Sequence, residues 1–262
     1  MNTHSDTSEH SVVVTRVSES RWHAIQDGLV VGHGDASHRP DGRTFLSVDA
    51  WHGAIFDRLA DTMPSDLPTP LYTVVDEADV DLTSAWQRAG FAVERREWDY
   101  FAPTDPGVTG LGSVRPPLDV TIVPVGEAES GPLRALDRAV RDELVAADQW
   151  QAMPAEVEPY PERTKVVDTS KYAAALHHGR YVGLVHVSPG PRRARIGLIA
   201  VLAAHRRRGI GRVLLAHALD SLHRHGIASA AVDISESNEA AVALFEDARA
   251  RRVGSVLELV RV

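Results

Sequence analysis

Between Val201 and Leu215 the chain reads Val-Leu-Ala-Ala-His-Arg-Arg-Arg-Gly-Ile-Gly-Arg-Val-Leu-Leu. An apolar strand runs straight into a basic, glycine-containing turn that opens a helix. The first N–H groups of a helix have no intrahelical acceptor and sit at the positive end of its dipole, so this is an anion site. Gly209 and Gly211 remove the side chains that would hold a phosphate away from those N–H groups. Arg206, Arg207, Arg208 and Arg212 gather positive charge there. A diphosphate or a phosphorylated nucleotide suits such a turn. A Walker loop would need G-x-x-x-x-G-K-S/T, and a dinucleotide fingerprint would need a third small residue where Leu214 stands.

Several elements must position this turn. Arg195–Val201 is nearly continuous apolar sequence, a strand expected to be buried on both faces. A helix is expected from about Gly209, with Ile210, Val213, Leu214, Ala218 and Leu222 on one face and Gly226 as its C-terminal cap. Ala230–Ile234 is the next strand, and Asn238 is placed to cap a helix carrying Ala241, Leu244, Phe245 and Ala248. Upstream lie a strand at Val120–Val125, a helix from about Pro132 and a hairpin turning at His178-Gly179-Arg180. The order predicts an α/β fold, in the α+β sense of a mixed sheet flanked by helices.

Residues 1–10 are polar and read as a loose terminus. The Pro- and Gly-rich stretch 103–117 reads as a linker between a first domain, 11–102, and a second, 118–262. The first repeats the plan of the second in shortened form: strand Phe45–Val48, helix from Gly53, strand Leu71–Val75, helix Leu82–Ala89 and a closing strand Phe91–Phe101. An internal duplication is expected. The basic turn is missing from the first copy, where Asp49-Ala-Trp-His-Gly53-Ala-Ile stands instead, so that copy is expected to be degenerate.

The 262 residues are 44% hydrophobic and 24% charged, the composition of a globular chain, with a formal charge of −8 and no cysteine. The acidic balance argues against a nucleic-acid partner. The missing cysteines exclude thiolate metal sites and a cysteine nucleophile. No apolar run reaches the roughly 18–20 residues of a membrane span. The expectation is a cytoplasmic protein, monomer or homodimer, with no membrane partner. The histidines form no H-x-x-x-H pair beside an acid, so no metal is expected.

Residues 118–262 resemble the GNAT superfamily of acyl-CoA-dependent N-acyltransferases. Arg206, Gly209 and Gly211 match its Q/R-x-x-G-x-G/A signature, and Asn238, Ala241, Leu244 and Phe245 match its N-x-x-A-x-x-L-Y/F motif. The resemblance implies two GNAT-like domains in tandem and acetyl-CoA as donor. Main-chain N–H groups from Arg206 through Arg207, Arg208, Gly209 and Ile210 to Gly211 and Arg212 would hold the CoA pyrophosphate. The edge formed by Leu198, Ile199, Ala200 and Val201 would hydrogen-bond the pantetheine arm, and Asn238 would contact the same arm. A backbone N–H near Ile199–Val201 would polarise the thioester carbonyl, and a primary amine of a small molecule would attack directly.

Two departures from the family pattern matter. Phe245 stands where many relatives have a tyrosine that protonates the thiolate, and the Arg195–Val201 strand lacks the glutamate that many relatives use as a base. The amine must still lose a proton. His186 and Glu236 are the first candidates, with Asp168 and Asp233 behind them. Asp148, Trp150 and Tyr160 could receive the ammonium by charge and cation–π contact. The alternative reading is an acyl-CoA-binding or regulatory module that has lost catalysis.

Overall fold

A computed structural model describes residues 11–39, 42–146, 168–188, 190 and 193–262. The chain divides into two compact units: Met1–Arg95 with Val256–Val262, and Arg96–Ser255.

In the first unit, strands β1 (Val13–Ser18), β2 (Arg21–Gln26), β3 (Leu29–His38) and β4 (Thr44–Ala50) form an antiparallel run. Asp27 and Gly28 turn β2 into β3, both with positive φ, as a two-residue hairpin loop demands. Helix α1 (Gly53–Thr62), β5 (Leu71–Asp76) and α2 (Val80–Arg88) follow. The core forms around Trp22, Leu59, Met63 and Trp86, all at most 2% exposed. The Trp86 ring takes Phe56 and Phe91 edge-on at 5.1 and 4.8 Å. Met63 presses so closely on Gly34 that no side chain fits there.

The second unit begins within β6 (Ala92–Pro103) and continues through α3 (Pro106–Thr109), β7 (Val120–Val123), α4 (Ser130–Ala146), β8 (Tyr172–His177) and β9 (Arg180–Ser188). It then adds β10 (Ala194–Val201), α5 (Ile210–Arg224), β11 (Ser229–Ser235) and α6 (Glu239–Asp247), and ends within β12 (Arg251–Arg261). β7 to β10 run antiparallel, β10 and β11 parallel, and β11 pairs antiparallel with β6 from Ser229↔Pro103 to Ser235↔Glu97. Helix α5 buries seven apolar residues against one sheet face, with Leu214 and Leu215 fully enclosed. Each such side chain contributes about 1.5–3 kcal/mol. Leu133, Leu136 and Val140 of α4 cover Ala174 and Leu184 on the other face.

Three expectations change. The strand after α2 does not simply close the first domain: its residues 97–103 pair with β11 in the second unit. The strand after α6 in turn supplies Val256–Arg261 as the partner of β5 in the first. The boundaries at 102 and 118 therefore give way to this exchange. Residues 103–117 are not a free linker either. Asp105 caps α3 through Gly107 N–H, and Thr104, Thr109 and Leu111 are buried in the second unit. Nor is β10 buried on both faces: Ala194 and Ile196 are enclosed, while Leu198–Val201 are only half-buried.

Candidate functional site

The half-exposure of β10 has a cause in register. Among the described residues, β10 meets β11 only at Ala194↔Ala230 and Arg195↔Ala231, and beyond that point the two parallel strands part. On its other side β10 stays paired to β9, with one irregularity between Ile196 and Leu198 that leaves Gly197 as an inserted residue opposite His186. Such a bulge bends its strand and raises the local twist. The parting strands open a cleft of about 750 Å³. One wall is β10 from Ile196 to Val201, the other is the end of β11 with the start of α6.

At the mouth of this cleft stands the basic turn. Arg207 and Gly209 both take left-handed backbone, with φ of 62° and 81°. Gly209 is the N-cap of α5, and no side chain caps the helix. Its first N–H groups therefore remain open to an anion. A Cβ on Gly211 would meet only Leu244, at 3.9 Å, and would otherwise project into the cleft that Gly211 lines.

Arg206 has a structural task. Its Nε donates to Val201 O at 2.9 Å and its Nη2 to Glu143 Oε2 at 3.3 Å, and that carboxylate also accepts Ala203 N–H at 2.8 Å. The guanidinium thus ties the turn back to the end of β10 and to α4. Arg212 pairs with Asp247 at 3.2 Å, whereas Arg207 and Arg208 are exposed on the rim. Asn238 caps α6 by accepting Ala241 N–H at 3.1 Å.

Of the residues expected to bind the donor, Leu198, Ile199, Ala200, Val201, Arg206, Gly211, Asn238 and Phe245 line the cleft. Arg207, Arg208, Gly209, Ile210 and Arg212 belong to the turn and helix start beside it, with Ile210 packed in the core.

The two expected bases part company. His186 lies against the bulge: its Nδ1 is 2.9 Å from where a Cβ on Gly197 would stand, and its ring meets Tyr172 at 4.7 Å. Burial, with help from the Lys171 ammonium, pushes its pKa below the ordinary imidazole value. The neutral ring is therefore the form present at neutral pH, as a proton acceptor requires. Glu236 is turned away. Both its oxygens accept from Arg96 Nη1, at 3.1 and 3.2 Å; neither Glu236 nor His186 is among the residues that line the cleft, and His186 reaches it only through its contact with Gly197.

Asp233 does line the cleft, but it is ion-paired with Arg195 and faces Asp99 across the β6–β11 ladder. Arg195 offsets the repulsion that two facing carboxylates would otherwise create. Asp168 is not among the residues lining the cleft; it caps a short 3-10 turn by accepting Ser170 N–H, and the hydrogen bond from the Ser170 hydroxyl holds its carboxyl below the usual range. Asp148, Trp150 and Tyr160 lie outside the described residues.

Sequence reasoning passed over Val140 and Leu144 of α4, and Ser235 and Ser237 at the end of β11, all of which line the cleft. The α4 pair was visible only as helix periodicity. The two serines carried no signal beyond their nearness to Asn238.

Residues 138–249 match the sequence model of the Acetyltransferase (GNAT) family. The [Ribosomal protein bS18]-alanine N-acetyltransferase of Escherichia coli is 44% identical over 48 residues. That match covers 18% of this chain and 32% of the relative, about a third of its length. A GCN5-related N-acetyltransferase from Sphaerobacter thermophilus superposes with a TM-score of 0.62 at 15% identity, covering 94% of this chain and 82% of that one. A tandem GNAT protein from the clavulanic acid biosynthesis pathway gives 0.62 at 18% identity, covering 92% and 81%. At such identities the likeness is one of fold.

Proposed function

We propose that the protein is an N-acetyltransferase that moves an acetyl group from acetyl-CoA to a primary amine of a small molecule. The observation that carries this reading is the cleft between the parting strands β10 and β11, which opens directly onto the uncapped N-terminus of α5. A strand edge and an anion-binding helix start, joined end to end, suit an arm that bears amides along its length and a diphosphate at its end. In this reading the N–H groups of residues 206–212 take the pyrophosphate. Leu198–Val201 take the pantetheine as an added strand, and Asn238 reaches it from the opposite wall. The fit rests on a left-handed turn free of side chains at Gly209 and on a Gly211 that leaves the cleft open.

The amine attacks the thioester directly, in keeping with a chain that has no cysteine. A backbone N–H near Ile199–Val201 polarises the carbonyl. His186, neutral and packed against the Gly197 bulge, receives the amine's proton directly or through water. The acceptor enters from the side of α4, whose Val140 and Leu144 line the cleft.

The first unit is a degenerate copy of the second. In support, β4 and β5 are also parallel and pair at Thr44↔Leu71 and Phe45↔Tyr72, followed by helices in the same order. The start of α1 also lacks a side-chain cap, but it differs from that of α5 in backbone and side chains. Its N-cap is His52 in extended backbone, and Ile55 is committed to the core.

A calorimetric titration with acetyl-CoA tests the reading, followed by thiol release across an amine panel that includes alanine-terminal peptides. One site per chain and acceptor-dependent thiol release are expected. Binding with no turnover would favour a CoA-binding module without catalysis, the reading that Phe245 makes worth testing. Two sites would mean the first unit binds donor too.

A further inference from the structure

Phe245 is 3% exposed and lines the cleft with a hydrocarbon edge, so it offers no hydrogen to a departing sulfur. The remaining polar side chains on the cleft wall are soon accounted for. Arg206 is held by Val201 O and Glu143, Asp233 is paired with Arg195, and Glu239 carries a carboxylate that accepts only. Asn238 uses its carbonyl to cap α6 and keeps its amide N–H groups for the pantetheine arm proposed above.

Besides the Asn238 amide, the cleft wall carries two hydroxyl donors, those of Ser235 and Ser237, whose oxygens lie 2.9 Å apart. Ser235 is 2% exposed and ends β11, at the wall that faces β10, while Ser237 is open to solvent. When one hydroxyl donates to the other, the acceptor's own O–H remains available, and its donor strength rises because the bond it receives polarises it.

We propose that the Ser235–Ser237 pair donates a hydrogen bond to the CoA sulfur and stabilises it as the thiolate. The inference rests on the acetyl-transfer reading above and assigns a task in it that Phe245 cannot perform. The balance of the step is simple. The amine nitrogen forms a bond to the carbonyl carbon, the carbon–sulfur bond breaks, and its electron pair stays on sulfur. The amine sheds its protons to His186 and water, and the thiolate takes one from solvent. The serines give up no proton, because an alkoxide is far more basic than a thiolate; they supply only oriented dipoles.

The test reads the thiol itself. A chain without cysteine has no thiolate absorbance of its own, so the ultraviolet signal of bound CoA during a pH titration, with the complex of an S-alkylated CoA as blank for adenine and tyrosine, reports its sulfur. The ionisation of free CoA under the same conditions is the reference. In the wild-type complex the bound thiol should ionise about one pH unit lower than in the complexes of Ser235→Ala or Ser237→Ala, with Ser235→Thr close to wild type. Acetyl transfer should fall about tenfold in kcat for the alanine variants, with the acetyl-CoA KM held. CoA binding with the same thiol ionisation in all four proteins overturns the inference and leaves the acetyl-transfer reading standing. No calorimetric binding of CoA by folded wild-type protein overturns both.

Discussion

The imidazole of His186 occupies the room that a side chain at residue 197 would need, with Nδ1 2.9 Å and Cε1 3.7 Å from an ideal Cβ on Gly197. The ring is already held from its other side by Tyr172. Gly197→Ala should therefore push the ring off the bulge. We expect a loss of about 1–3 kcal/mol from overpacking, read as a lower urea midpoint, and a fall in kcat larger than any change in acetyl-CoA KM. A variant with wild-type stability and turnover would show that the ring moves aside freely and is not held for the reaction.

Gly211 and Gly209 should answer differently to substitution. At Gly211 the backbone is helical and a Cβ meets only Leu244 at 3.9 Å. Gly211→Ala should keep or raise stability, by up to about 1 kcal/mol, because alanine is the better helix former. The larger Gly211→Val should weaken acetyl-CoA binding by roughly 1.5–3 kcal/mol through lost charged hydrogen bonds. Gly209→Val should cost both stability and affinity, since φ there is 81°. Calorimetry and thermal unfolding on the three variants separate these effects. Unchanged affinity in both valine variants would remove the donor site from this turn.

Glu143→Ala should loosen the turn from α4, leaving the turn's own residues unchanged. The carboxylate accepts both Ala203 N–H and Arg206 Nη2. Its loss should cost about 0.5–1.5 kcal/mol of stability and raise the acetyl-CoA Kd several-fold, with kcat at saturation preserved. Equal loss in kcat would mean that α4 positions more than the turn.

Acid should weaken the fold in a definite window. Burial holds both His186 and His217 below the ordinary imidazole pKa. The unfolded chain, with imidazoles near 6.5, then takes up protons before the folded one does. The stability these residues contribute is complete above pH 6.5 and is lost as pH falls through their folded values. Urea midpoints at pH 7.5, 6.5 and 5.5 should decline in that order, less steeply in His217→Leu. The acid limb of kcat should follow His186. A midpoint that rises on acidification would contradict the neutral, buried assignment.

What could be read from sequence was whatever a short stretch decides by itself. The helix start near Gly209, the Asn238 cap and a hairpin turn at His178-Gly179, one residue shorter than expected, were legible because each depends on a few neighbouring residues. The parting of β10 from β11 did not, since it depends on where pairing stops between two strands far apart in the chain. Glu236 misled for a similar reason: its partner, Arg96, lies 140 residues away. Proline and glycine in 103–117 suggested a linker, and the Asp105 cap with the burial of Leu111 outweighed that composition. Strands β1 to β3 went unread although Asp27-Gly28 is a strong hairpin signal.

The exchange of strands between the two units makes this chain a natural split protein. A protease cutting once between Gly110 and Pro117 would yield two fragments. The first would carry residues 97–103, which belong to the second unit's sheet, and the second would carry residues 256–261, which belong to the first. Neither fragment could leave without stripping a strand from a sheet it does not own. The nicked protein should therefore migrate as one species until denaturant is added, and a gene cut at this place should yield two halves that function only when produced together.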